Sequence, residues 1–425
     1  MSIDDDHTTV MSGPAGPPGA VKKVGVGFKI AFGLVNFGLY LTVMMPALFS
    51  LPYKVQQVAP DNKALVLGIV AAAGAVVSLV AGPMAGVLSD RTRTRWGRRR
   101  PWLLGGILVG LIGAVLVALA PSVPMLLLGW VIVCVGGAGP AAAITPVVAE
   151  QVPEAQRGSM GAIVGVATQL AGVLGYTIGG LLTGNIVLLF VVPVVAFLVL
   201  AVVYMLVVPD PIVPLPQTTI RQTFRLMVFS PRKHRDFSLV WLGKFLMQMA
   251  LAFLTTYQLY FLADRLGFTA AEAGQKLTLV GGIGILVTMT FAIVSGILSD
   301  KVKRRKVFIM TSSALSATGL ALMGFTDGFG LFFAAVMCIL GAAGMFGAVD
   351  VAMASDLVPD REQAGRWMTI YNLAASLPGA VAPLLGSVLL LIGSPSGTNY
   401  AALFLTGAGI ALGTGVVTAF VRGVR

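Results

Sequence analysis

The sequence predicts an all-α polytopic membrane protein, with twelve transmembrane helices in two pseudo-symmetric six-helix bundles. Three observations carry that expectation. The 425 residues are 57% hydrophobic and only 11% charged. A soluble domain carries roughly 25% charged residues, so this chain has too little polar surface to cover a water-soluble body. Apolar runs of bilayer length, about 20 residues each, recur along the whole chain, and mean hydropathy is +0.91. Finally, landmarks of the first half return in the second.

The apolar runs lie near 26–51, 64–88, 102–120, 125–149, 160–182 and 186–208, then near 237–262, 277–298, 307–325, 329–354, 367–393 and 399–421. They are too long for barrel strands and lack alternation at strand period, which leaves helices as the spanning structure. The expected organisation is a disordered cytoplasmic tail (1–24), an N-terminal bundle (25–208), a cytoplasmic linker (209–236), a C-terminal bundle (237–421) and a short cytoplasmic C-terminus (422–425). The tail, MSIDDDHTTVMSGPAGPPGA, is acidic and rich in Gly and Pro, without the basic start of a signal peptide. Prolines mark the linker as extended, and its IRQTFRLMVF stretch reads as a short amphipathic helix on the membrane surface.

With twelve spans, both termini and five loops share one face. That face holds 23 of the 29 Lys and Arg, six of them between Arg91 and Arg100. The opposite face has Lys54, Lys63, Arg265 and Lys276, while Lys29 and Lys244 fall within spans. By the positive-inside rule both termini are cytoplasmic. The asymmetry also accounts for the net charge of +12 with membrane lipid, not nucleic acid, as the partner. Compactness and short external loops point to a bacterial inner (plasma) membrane, and to a monomer.

The repeat is visible in three pairs. GVLSDRTRTRWGRRR follows span two and GILSDKVKRRK follows span eight, placing Asp90 and Asp300 210 residues apart. VAEQVPEAQRGSMG and MASDLVPDREQAGR follow spans four and ten, with Pro153 and Pro359 206 apart. Lys29 and Lys244 open spans one and seven, 215 apart. Parallel repeats of this kind build transporters whose site lies at mid-membrane between the halves.

Twelve spans, a central loop and the Gly-x3-Asp-Arg…Gly-Arg-Arg signature at 86–99 resemble the major facilitator superfamily. The seven-residue step from Asp90 to Gly97 in DRTRTRWGRRRPW is similar to the longer loop of sugar–cation symporters of the melibiose and sucrose carrier type. The resemblance implies rocker-switch alternating access. It also implies a conformational switch at Gly86, Asp90, Arg91, Gly97, Arg98 and Arg99, echoed by Asp300 and Arg304, that latches one helix to a neighbour in the outward-facing state. Read from the residues alone, these arginines pair with the carboxylate and the last helix carbonyls, or only set topology and bind anionic headgroups.

Two departures bear on coupling and direction. Melibiose-type carriers hold paired carboxylates on span two where this chain has Ser78 and Gly82, which favours a proton over sodium. Tyr176 replaces the proline of the antiporter signature in GVLGYTIGG, and span four lacks the arginine typical of proton-driven drug antiporters, which weakens an export reading.

Ionisable groups within the membrane are costly and mark function by default. Asp350, whose repeat mate is the apolar Ile144, is either the proton carrier or a cytoplasm-facing carboxylate paired with a neighbouring base. Glu150 and Asp356 occupy matched positions and suit loop networks. Lys29 and Lys244 either snorkel to the interface or face the cavity and pair with Asp350. Candidate cavity residues are Asn36 and Tyr40 on span one, Gln169 on span five, Gln248, Thr256, Tyr257 and Gln258 on span seven, and Tyr371 and Asn372 on span eleven. Hydroxyls and amides beside aromatic rings suit sugars and equally serve as interhelical hydrogen-bond partners. Cys134 and Cys338 lack metal-ligand spacing and read as buried thiols; no metal and no cofactor is expected. No Gly-x4-Gly-Lys-Ser/Thr loop occurs, and no catalytic grouping is recognisable. The expectation is a proton-coupled symporter for a sugar or similar small polar metabolite, with proton-driven efflux of a drug-like or amphipathic metabolite as the alternative.

Overall fold

The computed structural model describes residues 23–210, 229–360, 363–394 and 397–423. The tail up to residue 22 and all but the last residue of the expected amphipathic linker helix lie outside them. Among the described residues, twelve helices are long and apolar enough to cross a membrane. They are Val26–Val58, Pro60–Arg91, Arg100–Leu119, Val123–Gln151, Glu154–Leu181 and Ile186–Val207 in the first half. The second half supplies Arg235–Asp264, Ala270–Val302, Arg305–Gly324, Phe329–Asp356, Gly365–Leu391 and Tyr400–Ala419. They are called spans one to twelve below; the face carrying both ends of the described chain is the basic face, and its opposite is the far face.

Several helices outrun their apolar runs, because polar residues extend them beyond the hydrocarbon. Span eight shows how. Its start is fixed by a capping box in which the Thr269 hydroxyl accepts from the Glu272 amide and the Glu272 carboxylate accepts from the Thr269 amide at 2.8 Å. That cap sits about two turns before the first residue of the apolar run.

Three spans are interrupted within their length. Span four breaks at Thr145–Pro146, between Val123–Ile144 and Val147–Gln151. Span one passes through a π-helical turn at Pro46–Ser50. Span eleven divides into a basic-face segment, Ala364–Ser376, and a far-face segment, Pro378–Leu391. Pro378 has no N–H to offer the Ala374 carbonyl, so the helical ladder loses a rung there, although Leu377 keeps helical dihedrals of φ −59° and ψ −37°.

Each half packs mainly on itself, and the halves meet where span two lies against the far-face segment of span eleven and span five lies against span eight. The far-face end of the second half is stiffened by aromatic packing. Phe261 meets the Tyr400, Phe404 and Phe332 rings at centroid distances of 5.2, 5.5 and 5.9 Å, a geometry that adds specific attraction to burial. This rigid end carries Asp264 and Tyr400, which matter below.

Candidate transport site

A cavity of about 600 Å³ lies between the halves. One face of span two lines it through Leu67, Ala71, Gly74, Ser78 and Gly82, and one face of span four through Trp130, Cys134, Gly137, Ala141 and Thr145. Both sets step by three or four residues, as a single helix face requires. The second half contributes only Ala252, Thr255, Thr256, Gly379 and Pro383. Among the described residues no Asp, Glu, Lys, Arg or His lines the cavity.

Of the residues singled out for the cavity, Tyr40 lines it. Asn36, one turn away, is buried and donates to the Phe32 carbonyl at 2.8 Å. Gln169 is exposed on span five, one turn before Val173 on the stripe of Val173, Thr177 and Gly180 that meets span eight. Gln248 is half-buried and lies one turn before Ala252 on span seven, and Asn372 is exposed two turns before Gly379 on span eleven. Tyr257 does not reach the cavity wall: it is fully buried, and its hydroxyl donates to the Pro383 carbonyl at 2.5 Å. Its neighbour Thr256 lines the cavity instead, because adjacent helix positions point about 100° apart.

The intramembrane charges gather in the second half. Asp350 is 3% exposed. Its carboxylate accepts from the Tyr371 hydroxyl and pairs with the Lys244 ammonium at 3.5 Å. The same ammonium sits 3.7 Å from the Tyr371 ring centroid, a cation–π placement. Three spans thus contribute one residue each to a compact charged triad. Lys29 is half-buried at the start of span one.

The far face is closed by bonds between the halves. Lys63 pairs with Asp264 at 2.5 Å, Tyr260 donates to the Pro52 carbonyl at 2.8 Å, and the Thr177 and Thr278 hydroxyls lie 3.1 Å apart. Gln258 donates to the Tyr176 hydroxyl. Spans five and eight come so close here that a Cβ on Gly274 would stand 2.7 Å from the Gly180 Cα, which only glycine permits.

On the basic face the arginine motif of the first half forms a buried staple. Arg98, 1% exposed, donates to both Glu150 oxygens at 3.0 and 2.9 Å and lies 3.8 Å from Asp90. Arg99 also donates to Glu150. Burial holds the Arg99 guanidinium below the usual arginine range, and Glu150 beside it pulls it back up. Arg100 caps the end of span six, donating to the Met205 and Val208 carbonyls at 2.7 and 3.2 Å. Gly97 adopts φ +109°, closing the turn with an N–H to the Thr94 carbonyl at 3.1 Å. Gly86 and Arg91 lie outside this staple: a Cβ on Gly86 would meet open space, and Arg91 is exposed.

Sequence reasoning missed Asp210, whose carboxylate accepts from the Arg99 and Arg100 amides at 2.7 and 3.2 Å and so caps span three. Its signal was an acidic residue directly after span six, in VVPDP.

The second copy of the motif differs from the expectation. Asp356, the mate of Glu150, pairs with Arg305 and not with Arg304. Arg304 is exposed because it precedes the first helical residue of span nine. Asp300 is exposed too, and among the described residues none of the neighbouring bases pairs with it. Lys306 repeats the role of Arg100, donating to the Val421 carbonyl at the end of span twelve.

The profile of the Major Facilitator Superfamily matches residues 30–289 and again 240–425. The chain belongs to the Major Facilitator Superfamily. It is therefore a transporter and not an enzyme. The superfamily fold is shared with the solved nucleoside transporter NupG, which is 11% identical with a TM-score of 0.74 over 92% of this chain and 98% of that one. A D-xylose-proton symporter is 18% identical, TM-score 0.65, over 91% and 97%. A bacterial homolog of the human lysosomal transporter Spinster is 16% identical, TM-score 0.65, over 93% and 94%. In addition, 80 residues are 41% identical to the uncharacterized symporter sll1374 of Synechocystis sp. (strain ATCC 27184 / PCC 6803 / Kazusa). That match spans 19% of this chain and 14% of the relative, so the likeness is local.

Proposed function

We propose that the protein is a proton-coupled symporter for a sugar or a similar small, uncharged polar metabolite, working by rocker-switch alternating access. Its basic face meets the cytoplasm of a bacterial inner membrane, in keeping with its excess of Lys and Arg. With that orientation the closed far face makes the present arrangement inward-facing.

One observation carries the reading: the charged groups and the cavity are separate. A charged cargo in a cavity without ionisable side chains is desolvated with no counter-charge, at a cost of several kcal/mol. A neutral cargo fits, with Tyr40, Thr42, Ser78, Thr145, Thr255 and Thr256 offering hydroxyls. The coupling proton then needs its own carrier, and the buried carboxylate of Asp350 is suited to it. The solved D-xylose-proton symporter with the same fold lends support by analogy.

A second reading, efflux of an amphipathic metabolite, is favoured by the apolar part of the wall, where Leu39, Val43, Leu67, Val133, Val194 and Phe197 stand. Uptake of a labelled sugar panel by expressing cells at two external pH values separates the two. Accumulation that rises as external pH falls supports symport. Absent uptake together with acquired resistance to toxic compounds replaces it with efflux.

A further inference from the structure

The charged triad and the break in span eleven are mechanically connected. We propose that Tyr371 is a positioning residue through which the charge on Asp350 sets the tilt of the basic-face segment of span eleven, Ala364–Ser376, about a hinge at Leu377–Pro378. The inference rests on Asp350 as the proton carrier and adds how its proton moves the protein.

The two segments of span eleven are anchored to different bodies. The far-face segment is clamped between the halves: Tyr257 holds the Pro383 carbonyl, and a Cβ on Gly68 of span two would lie 2.7 Å from that same oxygen. The basic-face segment is tied to the second half alone in the bonds it makes through Tyr371 and Ile370. Tyr371 donates to Asp350 of span ten, and the Trp241 indole N–H of span seven donates to the Ile370 carbonyl at 2.9 Å. Between the segments stands Pro378, which cannot complete the helical ladder. A helix anchored differently on either side of a missing rung bends there.

The moving part borders the cargo. Ser376 and Asn372 are exposed and lie three and seven residues before Gly379, a cavity-lining position. They therefore share its helix face, and tilting the segment carries Asn372 toward or away from the cavity.

The charge logic closes the path. The titratable groups in contact with Asp350 are Lys244 from span seven and Tyr371 from span eleven. Ionised, the carboxylate accepts a charge-assisted bond from the Tyr371 hydroxyl and balances the ammonium. A proton taken from solution stays on a carboxyl oxygen and removes the negative charge. The tyrosine bond then drops to the neutral kind, roughly half as strong, and the ammonium over the Tyr371 ring loses its counter-ion. Both changes loosen the hold of span ten on Tyr371, and with it on the whole segment.

The test places a single cysteine by Asn372→Cys in a Cys134→Ser/Cys338→Ser background and follows maleimide labelling in membrane vesicles at acidic and alkaline pH. Rates are normalised to Ser159→Cys, an exposed site at the basic-face end of span five, to remove the pH dependence of the thiol itself. A severalfold change in the normalised rate is expected, abolished by Tyr371→Phe and by Asp350→Asn. Pro378→Ala, which restores the missing N–H and leaves the triad intact, is expected to blunt the change. A pH-independent ratio in the parent, or full pH dependence surviving in either Tyr371→Phe or Pro378→Ala, overturns the inference. Uphill accumulation surviving in Asp350→Asn sinks the proton-carrier reading itself, a result read in the transport assay and separate from the labelling.

Discussion

Lys63 and Asp264 meet at 2.5 Å across the two halves of the molecule, and Asp264 also accepts from the Tyr400 hydroxyl at 2.6 Å. One carboxylate thus ties a first-half lysine to the aromatic wall of the second half. The lysine and aspartate side chains are 12% and 15% exposed, so solvent screens the pair only in part. Asp264→Asn is expected to weaken far-face closure by about 1 kcal/mol, a fivefold shift toward the opened state. Labelling of a Thr278→Cys thiol from the far side reads this directly, and an unchanged rate removes the pair from gating.

Closure at spans five and eight invites a covalent check. The Thr177 and Thr278 hydroxyls, 3.1 Å apart, place their side chains within disulfide reach. Thr177→Cys/Thr278→Cys in a background without the native cysteines is expected to cross-link under mild oxidant and stop transport, with recovery on reduction. Continued transport by the cross-linked protein contradicts alternating access through this contact.

The two copies of the arginine motif are expected to respond differently to loss of their acids. Glu150→Gln leaves Arg98 and Arg99 buried beside a neutral amide, a loss of about 2–3 kcal/mol once the partial exposure of Glu150 is discounted. Asp300→Asn, at an exposed position, is expected to stay within about 0.5 kcal/mol. Thermal unfolding in detergent compares them, and equal shifts would refute the asymmetry.

Gly97 and Lys303 occupy equivalent turns, 206 residues apart, with φ of +109° and +55°. Gly97→Ala forces a Cβ to 2.2 Å from the Asp210 carboxylate and is expected to cost about 1–3 kcal/mol. Lys303→Gly relieves a left-handed conformation and is expected to gain up to about 1 kcal/mol. Melting temperatures of the two variants should therefore move in opposite directions.

Cys134 lines the cavity, while Cys338 lies on span ten against Gly319 of span nine. A transported compound is expected to slow maleimide modification of Cys134 and leave Cys338 unaffected. A panel screened for that protection identifies cargo without a transport assay, and a transported compound that protects neither thiol moves the binding site elsewhere.

The spans and their two-fold repeat were legible because hydropathy and charge asymmetry are properties of long stretches. In SLPGAVAPLLG both Pro378 and Pro383 read as kinks, yet the helix breaks at Pro378 and runs on through Pro383. Azimuth was not legible: polarity nominates both Tyr257 and Thr256, and only packing sends one to the Pro383 carbonyl and the other to the cavity. Nor was long-range pairing. Lys63 and Asp264 are 201 residues apart, and nothing local in either segment marks the other. For Lys244, a place one turn into span seven favoured snorkelling over pairing; the 3.5 Å contact with Asp350 decides for pairing. The Arg304–Arg305 register turned on where span nine begins, a boundary that hydropathy locates only to within a few residues.

The duplicated halves have specialised. Most of the cavity wall belongs to the first repeat, whereas the charged triad belongs wholly to the second. With the cavity binding cargo and the triad carrying the coupling proton, as proposed above, substitutions in spans two and four would retune what is carried without disturbing the machinery that energises carriage. A duplicated ancestor with this division of labour can diversify its cargo one repeat at a time and keep its power supply intact.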